Sequence, residues 1–292
     1  MYGLQRLGII GVGLIGGSLA LALRRSRPNV RILGVDVDPH ALEQALEEGA
    51  IQSSAAPDEA PLLDCDLVVL AQPAQALLDS ILSVTARMRP GAVLTDVCGS
   101  KEMVCARAAQ QNRVVFVGAH PMAGTEFRGF AAASPAMFTG ATVAICPAVG
   151  ADVERVAAIG AVRDLWRAAG AGKLLDVDPA EHDRAVTFAS HLPYLAAAMV
   201  VDSLSRNSDL APLARELAAG GFRDTTRLAG DGTVGGAAAL NRHVPEAARE
   251  LAEHLRALAD QLTKSPQEAL DRLGRLAEAR RRMTLPPITP PR

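Results

Sequence analysis

The sequence Gly11-Val12-Gly13-Leu14-Ile15-Gly16 follows an apolar run at residues 7–10 and precedes a helical pattern at residues 18–25. A short apolar run bounded by glycine predicts a buried strand, so the three segments together predict a strand–turn–helix unit. In such a unit the first glycine permits a tight turn, the second lets the backbone approach a phosphate, and the third lets the helix pack closely on the strand. This stretch therefore predicts the opening unit of a doubly wound α/β domain.

The same alternation of strand and helix continues through the first half of the chain. Runs rich in Val, Ile and Leu recur at residues 31–35, 67–70, 92–95, 114–117 and 142–145, and helical patterns such as 39–48 and 153–169 lie between them. Short apolar strands that alternate with helices are typical of βαβ units in a buried parallel sheet. We therefore expect an N-terminal Rossmann-type, doubly wound parallel sheet.

The second half has a different character. Beyond Asp178 the strand-like runs disappear, and the patterns predict helices at residues 246–263 and from Pro266 to about 282, with Ser265 as the N-cap. We expect a nucleotide-binding domain at residues 1–177, an all-helical substrate and dimerisation domain at 178–284, and a flexible proline-rich tail at 285–292. Segments 193–204 and 246–262 carry more apolar surface than one small helical layer buries, which predicts a homodimer.

The glycine loop and Asp36 together indicate a cofactor. A GxGxxG motif is weak by itself, but Asp36 ends the second predicted strand about 20 residues later, where an acid can bond an adenosine ribose 2′-hydroxyl. The alternative is that Asp36 only caps the turn that follows. Since no arginine adjoins Asp36 to bind a 2′-phosphate, we expect NAD rather than NADP, held by Gly11, Gly13, Leu14, Ile15, Gly16 and Asp36.

Composition argues against several kinds of partner. The chain has 30 Lys and Arg against 32 Asp and Glu, and its basic residues are not gathered into a run flanked by aromatic residues, which argues against nucleic acid. The four cysteines lack CxxC spacing, so we expect free thiols in a cytoplasmic protein. Residues 7–23 are apolar enough to resemble a signal peptide, but their glycines fit the cofactor loop instead. No other segment approaches a membrane span by inspection, so we expect no membrane partner.

His120 is the first candidate for chemistry. It lies in the segment 118–126, just after the predicted strand 114–117, and ligands of open parallel sheets bind beyond the carboxyl ends of the strands. A histidine there can act as a general base near neutral pH, although a single histidine after a strand is more often structural. Zinc could in principle be held by His120, His182 and His191, but no HExxH or Cys/His spacing supports a metal site. We read His182, beside Asp183, as part of the first turn of a helix.

Five segments resemble the prephenate/arogenate dehydrogenase family, and they extend over most of the chain. They are GVGLIGGSLALAL from Gly11, AHPMAGTE from Ala119, DPAEHD from Asp178, SHLPY from Ser190 and GGFRDTTRLA from Gly220. The resemblance implies an NAD-dependent oxidative decarboxylation of prephenate to 4-hydroxyphenylpyruvate in tyrosine biosynthesis. Arogenate, which carries an amino group in place of the keto group, remains open as the substrate.

The resemblance also implies residue roles. His120 matches the catalytic histidine that accepts the ring hydroxyl proton, Glu126 an acid near the mouth of the site, His191 a histidine facing the pocket, and Arg227 the arginine that binds a substrate carboxylate. Gln72 and Pro73 stand where the family has a short turn beside the cofactor.

One position departs from the family pattern. Many relatives have a serine three residues after the aspartate of the fourth strand, whereas this chain, counted from Asp96, has Gly99 there and Ser100 one residue later. The role of Ser100 is therefore open.

Two other functions remain in view. A dehydrogenase of the β-hydroxyacid type would use a helix lysine as its acid and base, but the second half offers only Lys264, near its end. A dinucleotide sensor without catalysis would need Asp36 but not His120 or Arg227. Turnover of prephenate with NAD separates these alternatives.

Overall fold

A mixed sheet of eight strands organises the first half of the protein. The computed structural model describes residues 4–147 and 153–284, and the predicted tail at 285–292 lies outside them. The strands are β1 (Arg6–Ile10), β2 (Arg31–Val35), β3 (Ser53–Ala55), β4 (Leu67–Leu70), β5 (Val93–Asp96), β6 (Val115–Pro121), β7 (Thr142–Pro147) and β8 (Lys173–Asp176). The short strands β3, with the sequence SSA, and β8, whose two leucines lie between Lys173 and Asp176, were not predicted from the sequence.

The strand order β3-β2-β1-β4-β5-β6-β7-β8 contains the Rossmann order in its first six strands, which are all parallel. The prediction of a parallel sheet is wrong for β7, which runs antiparallel to β6 and pairs Ala144 with His120. The reason lies in the connection. A parallel return needs a crossover, usually a helix, whereas only a short 3₁₀ turn at Phe130–Ala132 lies between β6 and β7.

Twelve α-helices complete the described residues. They are α1 (Leu14–Ser26), α2 (Pro39–Glu47), α3 (Ala74–Arg87), α4 (Glu102–Ala108), α5 (Val153–Ala168), α6 (Pro179–Val186), α7 (Leu192–Ser205), α8 (Ala211–Glu216), α9 (Gly220–Arg227), α10 (Gly232–Leu240), α11 (Val244–Lys264) and α12 (Pro266–Arg282). A π-helical segment at Thr187–His191 joins α6 to α7, and further 3₁₀ turns lie at Leu62–Asp64 and Leu228–Gly230. Ser265 is the N-cap residue of α12, as predicted, although its side chain makes no capping hydrogen bond.

The sheet is covered on both faces, which explains its continuous apolar strands. Side chains from α1, α2 and α5 pack on one face, and side chains from α3 and α4 pack on the other. This three-layer arrangement buries both sides of every central strand. The carboxyl ends of β1, β4, β5 and β6 therefore meet at one edge of the sheet, where the loops bearing the candidate site residues begin. All four cysteines are free thiols, as predicted.

The helical second half buries few large apolar side chains. Its buried apolar residues are mostly alanines, such as Ala197, Ala211 and Ala269, whereas Met199, Leu213 and Leu217 are more than half exposed. The continuous helical run Pro179–Ser205 is also long and apolar enough, by length and composition, to cross a membrane, with 22% of its most apolar window buried. The expectation that no other segment approaches a membrane span is therefore wrong, because it overlooked that the π-helical segment joins α6 to the apolar α7 in one continuous helical run.

Candidate active site

The glycine loop between β1 and α1 has the geometry that its sequence predicts. Gly11 adopts a φ of 98°, and a Cβ there would lie 2.6 Å from the carbonyl carbon and oxygen of Ala71. A Cβ on Gly16 would lie 1.9 Å from the carbonyl oxygen of Gly11, so α1 packs directly on the loop. By contrast, no atom lies within 4 Å of the Cβ position of Gly13. The loop is thus closed behind and open at Gly13, as a cradle for a phosphate requires.

The start of α1 points its backbone N–H groups at this open space. Gly13 is the N-cap residue, and the helix begins at Leu14. Because glycine has no side chain, no capping side chain covers the first N–H groups. The first N–H groups of any helix lack intrahelical partners and carry the positive end of the helix dipole. They are therefore suited to bind the pyrophosphate of a dinucleotide.

Asp36 lies directly after β2 and is bound to the glycine loop. One carboxylate oxygen accepts a hydrogen bond from the Val12 N–H at 2.7 Å, and the other accepts from the Asp38 N–H at 2.9 Å. The second bond is the turn cap that the sequence left as an alternative, and the first fixes the carboxylate beside the loop. Each carboxylate oxygen keeps a second lone pair, so Asp36 can still accept from a ribose hydroxyl.

Gln72 and Pro73 stand at the carboxyl end of β4, against the same loop. The backbone nitrogen of Gln72 lies 2.8 Å from the Cβ position of Gly11, and Pro73 is the N-cap residue of α3. The side-chain oxygen of Gln72 is 3.0 Å from the hydroxyl oxygen of Ser80. Both residues therefore border the cradle.

His120 is a residue of β6 itself and does not follow the strand. The predicted strand ended at residue 117, but the antiparallel pairing with β7 extends β6 to Pro121. A Cβ on Gly99 would lie 3.5 Å from Nε2 of His120 and 2.9 Å from the Cβ of Ala237 on α10. The Nε2 edge of His120 therefore faces the contact between the sheet and the helical half.

The other ring nitrogen of His120 contacts a residue that was not predicted as part of the site. Nδ1 of His120 lies 2.9 Å from Nε2 of His182, and Nδ1 of His182 lies 2.8 Å from Oδ1 of Asp183. His182 lies in the first turn of α6, as predicted, but its side chain contacts His120, which the sequence did not predict. The adjacent His and Asp in the DPAEHD segment were the available signal, but only the tertiary packing brings them to His120.

Asp183 also binds the start of α4. It accepts hydrogen bonds from the backbone N–H groups of Lys101 at 2.7 Å and Glu102 at 3.0 Å, and from the Ser100 hydroxyl at 2.8 Å. Burial alone would raise the pKa of Asp183, but these bonds and the bond from His182 lower it overall. The structure therefore places the Ser100 hydroxyl on Asp183, which is an ionised acceptor that joins the two halves of the protein.

A buried ion pair holds the backbone immediately before His120. Lys101 and Asp96 are fully buried and bonded to each other, and the Lys101 ammonium also donates to the carbonyl oxygen of Ala119 at 2.8 Å. Asp96 accepts from the Ala119 N–H at 3.0 Å. Burial would lower the pKa of Lys101, but the Asp96 carboxylate raises it, so the ammonium stays charged. The sequence analysis used Asp96 only as a reference position in the family pattern and did not predict its pairing with Lys101.

Burial also sets the protonation of the candidate base. Desolvation lowers the pKa of His120 well below its usual value of 6.5, and repulsion from His182 and Lys101 lowers it further. His120 is therefore neutral near pH 7 and can accept a proton. Within residues 4–147 and 153–284, no group of His, Cys, Asp and Glu is arranged to hold a metal ion.

His191 is buried below this network. Its Nδ1 accepts a hydrogen bond from the Asn241 amide at 3.1 Å, and the same amide donates to the Asp183 carbonyl oxygen at 2.8 Å. Burial lowers the pKa of His191 to about 4. The side chain is 1% exposed, so it supports the network from inside the helical half.

Glu126 and Arg227 meet at a separate point on the surface. Arg227, at the end of α9, lies 3.6 Å from the Glu126 carboxylate in the loop after β6, and both side chains are at least one third exposed. A Cβ on Gly230 would lie 3.4 Å from the Cβ of Glu126, so this loop packs against the turn after α9. An exposed arginine whose partner is a single distant carboxylate can exchange that partner for a ligand carboxylate.

The fold and the site define a class before any relative is considered. A Rossmann-ordered sheet, an open glycine cradle with an acid beside it, and a neutral histidine at the carboxyl edge are the features of two-domain, dinucleotide-binding dehydrogenases. Residues 19–174 match the family model described as the prephenate dehydrogenase nucleotide-binding domain, and residues 178–275 match the model for its dimerization domain. The chain belongs to the prephenate dehydrogenase family.

Individual relatives agree with this assignment. A prephenate dehydrogenase from Bacillus subtilis (strain 168) is 33% identical over 76% of this chain, and the chain spans 59% of the length of that relative. The crystal structure of an Aquifex aeolicus prephenate dehydrogenase with hydroxyphenyl propionate and NAD+ has a TM-score of 0.82 and 26% identity, covering 96% of this chain and 98% of that one. An arogenate dehydrogenase from Synechocystis has a TM-score of 0.73 and 29% identity, covering 95% and 99%.

Proposed function

We propose that this protein is an NAD-dependent prephenate dehydrogenase that converts prephenate to 4-hydroxyphenylpyruvate in tyrosine biosynthesis. The position of His120 carries the proposal: a neutral imidazole at the carboxyl edge of the sheet, with one nitrogen held by the helical half and the other facing the domain contact. The matches to both domain models of the family, and the relative solved with NAD+ and a hydroxyphenyl ligand, support it.

Two groups of residues would bind the two halves of the cofactor. The open cradle of Gly11, Gly13 and the first turn of α1 at Leu14–Gly16 would hold the pyrophosphate, and Asp36 would accept from the adenosine ribose. Gln72 and Pro73 would border the nicotinamide half, because β4 lies between β1 and the strands that lead to His120. Bound NAD supplies the hydride acceptor.

His120 would handle the proton of the reaction. As the carbinol carbon of the substrate gives up hydride, the hydroxyl O–H bond breaks and Nε2 of His120 takes the proton, so that a carbonyl forms. The ring carboxylate then leaves as CO₂, the bonding pair it leaves behind makes the ring aromatic, and the oxygen regains the proton from His120. Proton and charge therefore balance without any other acid or base.

Arg227 and Glu126 would contribute to substrate binding and not to the chemical step. We propose that the Arg227 guanidinium binds a substrate carboxylate, and that Glu126, its present partner 3.6 Å away, holds it at the mouth of the site until substrate arrives. His191 would support the position of Asp183, because the Asn241 amide donates hydrogen bonds both to His191 and to the Asp183 carbonyl oxygen.

We propose that residues 1–177 bind the nucleotide and that residues 178–284 complete the site and form a homodimer in the cytoplasm. The exposed apolar residues Met199, Leu213 and Leu217 support a dimer, because a soluble monomer rarely exposes so much apolar surface in one half. The apolar run Pro179–Ser205 would then be covered by the partner protein and not by lipid.

Arogenate is a second candidate substrate. The Synechocystis relative, at 29% identity, is an arogenate dehydrogenase. The two substrates differ only at the side-chain keto or amino group, away from the ring atoms that His120 would serve.

Incubation of the purified full-length chain with NAD and either substrate tests the proposal, with the absorbance of the reduced cofactor as readout. We expect turnover in the wild type and a kcat about 10²–10⁴-fold lower in His120→Asn, the usual contribution of a positioned general base. His254→Asn, at an exposed histidine of α11, is the matched control. Absence of turnover with both substrates, or full activity in His120→Asn, would contradict the proposal.

A further inference from the structure

Two adjacent side chains of α6 reach across the domain contact to His120. The chain of bonds runs from Nδ1 of His120 to Nε2 of His182 at 2.9 Å, and from Nδ1 of His182 to Asp183 at 2.8 Å. The side chains of His182 and Asp183 are 5% and 1% exposed, so water cannot take the place of either partner. The proposed function uses His120 but assigns nothing to these two residues.

The chemistry of each partner fixes where the protons lie. The Asp183 carboxylate, which already accepts from two backbone N–H groups and one hydroxyl, is an acceptor only. His182 must therefore carry a proton on Nδ1. A neutral imidazole has one donor and one acceptor nitrogen, so Nε2 of His182 accepts, and the proton between the two rings belongs to Nδ1 of His120.

We infer that His182 and Asp183 are positioning residues that select the Nδ1–H form of His120 and leave the lone pair on Nε2. This inference rests on the proposed role of His120 as the base. Nε2 then lies beside Gly99, which has no side chain: a Cβ there would be 3.5 Å from Nε2 and 2.9 Å from the methyl group of Ala237 on α10.

The arrangement makes the base depend on both domains. His120 belongs to the sheet, whereas His182 and Asp183 belong to the helical half, and Asp183 is fixed by the start of α4. The competing state is a doubly protonated His182, which would donate from Nε2 to His120. A neutral His120 would then carry its proton on Nε2 and could not accept one from substrate.

Nuclear magnetic resonance distinguishes the two states directly. Full-length protein labelled with ¹⁵N at histidine, at pH 8, reports through ring nitrogen–hydrogen couplings which nitrogen of His120 is protonated. We expect Nδ1–H in the wild type, and assignment of the His120 signals follows from their loss in His120→Asn. A wild-type His120 protonated on Nε2 would overturn the inference without the use of any further variant.

Asp183→Asn supplies the kinetic test. An amide in place of the carboxylate can donate to His182, which reverses both imidazoles and moves the His120 proton to Nε2. We expect kcat to fall about 10⁴-fold, as when the aspartate of a Ser-His-Asp triad becomes asparagine, with KM for NAD changed less than about 2-fold. Val186→Ala, a buried apolar change on the same helix, is the matched control for loosened packing.

The outcomes separate this inference from the proposed function. Loss of kcat together with a shift of the His120 proton in Asp183→Asn, and neither in Val186→Ala, supports it. Unchanged kcat and an unchanged Nδ1–H signal in Asp183→Asn overturn it. If the wild type shows the Nδ1–H form but does not oxidise prephenate or arogenate, the proposed function fails and the positioning role stands.

Discussion

The buried imidazole of His191 should make the stability of the protein depend on pH. Burial lowers its pKa from an ordinary value of 6.5 to about 4 in the folded state, and a proton on Nδ1 would also break the bond from Asn241. Between these values the unfolded chain binds the proton and the folded chain does not, so the free energy of unfolding falls as pH falls from about 6.5 to about 4. A difference of about 2.5 pKa units corresponds to about 3 kcal/mol.

Urea unfolding at pH 7, 6, 5 and 4, at one protein concentration, measures this loss. In His191→Gln the amide can still accept from Asn241 but does not titrate, so the fall between pH 7 and 4 should be smaller than in the wild type by about 3 kcal/mol. The contribution of His120, whose pKa is also lowered, is present in both proteins and cancels. His254→Gln, at an exposed position, should behave as the wild type does. Parallel losses in wild type and His191→Gln would refute the reasoning.

Three further predictions concern binding and assembly. Asp36→Ala should weaken NAD much more than NADP, because the carboxylate accepts from a ribose hydroxyl but repels a 2′-phosphate; equal losses of affinity in titrations of both would contradict this. Arg227→Ala should raise KM for prephenate by about 10–100-fold with a smaller change in kcat, since it loses a charge-assisted contact already present in the ground state; steady-state kinetics would show the opposite pattern if Arg227 acted only in the transition state. Light scattering at micromolar concentration should give twice the mass of one 30.5 kDa chain, and a single-chain mass would exclude the homodimer.

Local sequence chemistry was sufficient for the features that depend on neighbouring residues. The glycine spacing from Gly11 to Gly16 predicts the turn, the helix start and the close packing that the structure shows, because each requirement arises within one strand–turn–helix unit. The position of Asp36 beside the loop followed from the same unit. The change to helices after Asp176 was visible for a similar reason, as periodicity is a local property.

Features that depend on tertiary contacts were missed or misread. His182 lies 62 residues from His120, and nothing in its own helix indicates that its side chain contacts the sheet. The reversal of β7 depends on the absence of a crossover helix, which a run of apolar residues does not reveal. The buried pair of Asp96 and Lys101 escaped notice because a charged residue near a helix start is usually solvated.

The hydrogen bonds from Lys101 and to Asp96 that hold Ala119 also limit how this sequence can evolve. The two charges lie in the dry interior and hold both backbone groups of one residue. A substitution at one position alone leaves the other charge buried without a partner. This lowers the free energy of unfolding by about 3–5 kcal/mol, a large part of the stability of an ordinary domain. An uncharged pair of residues can replace Asp96 and Lys101 only if both substitutions arise nearly together. Substitutions at the two positions are therefore coupled, and we expect related sequences to retain both residues or to lack both.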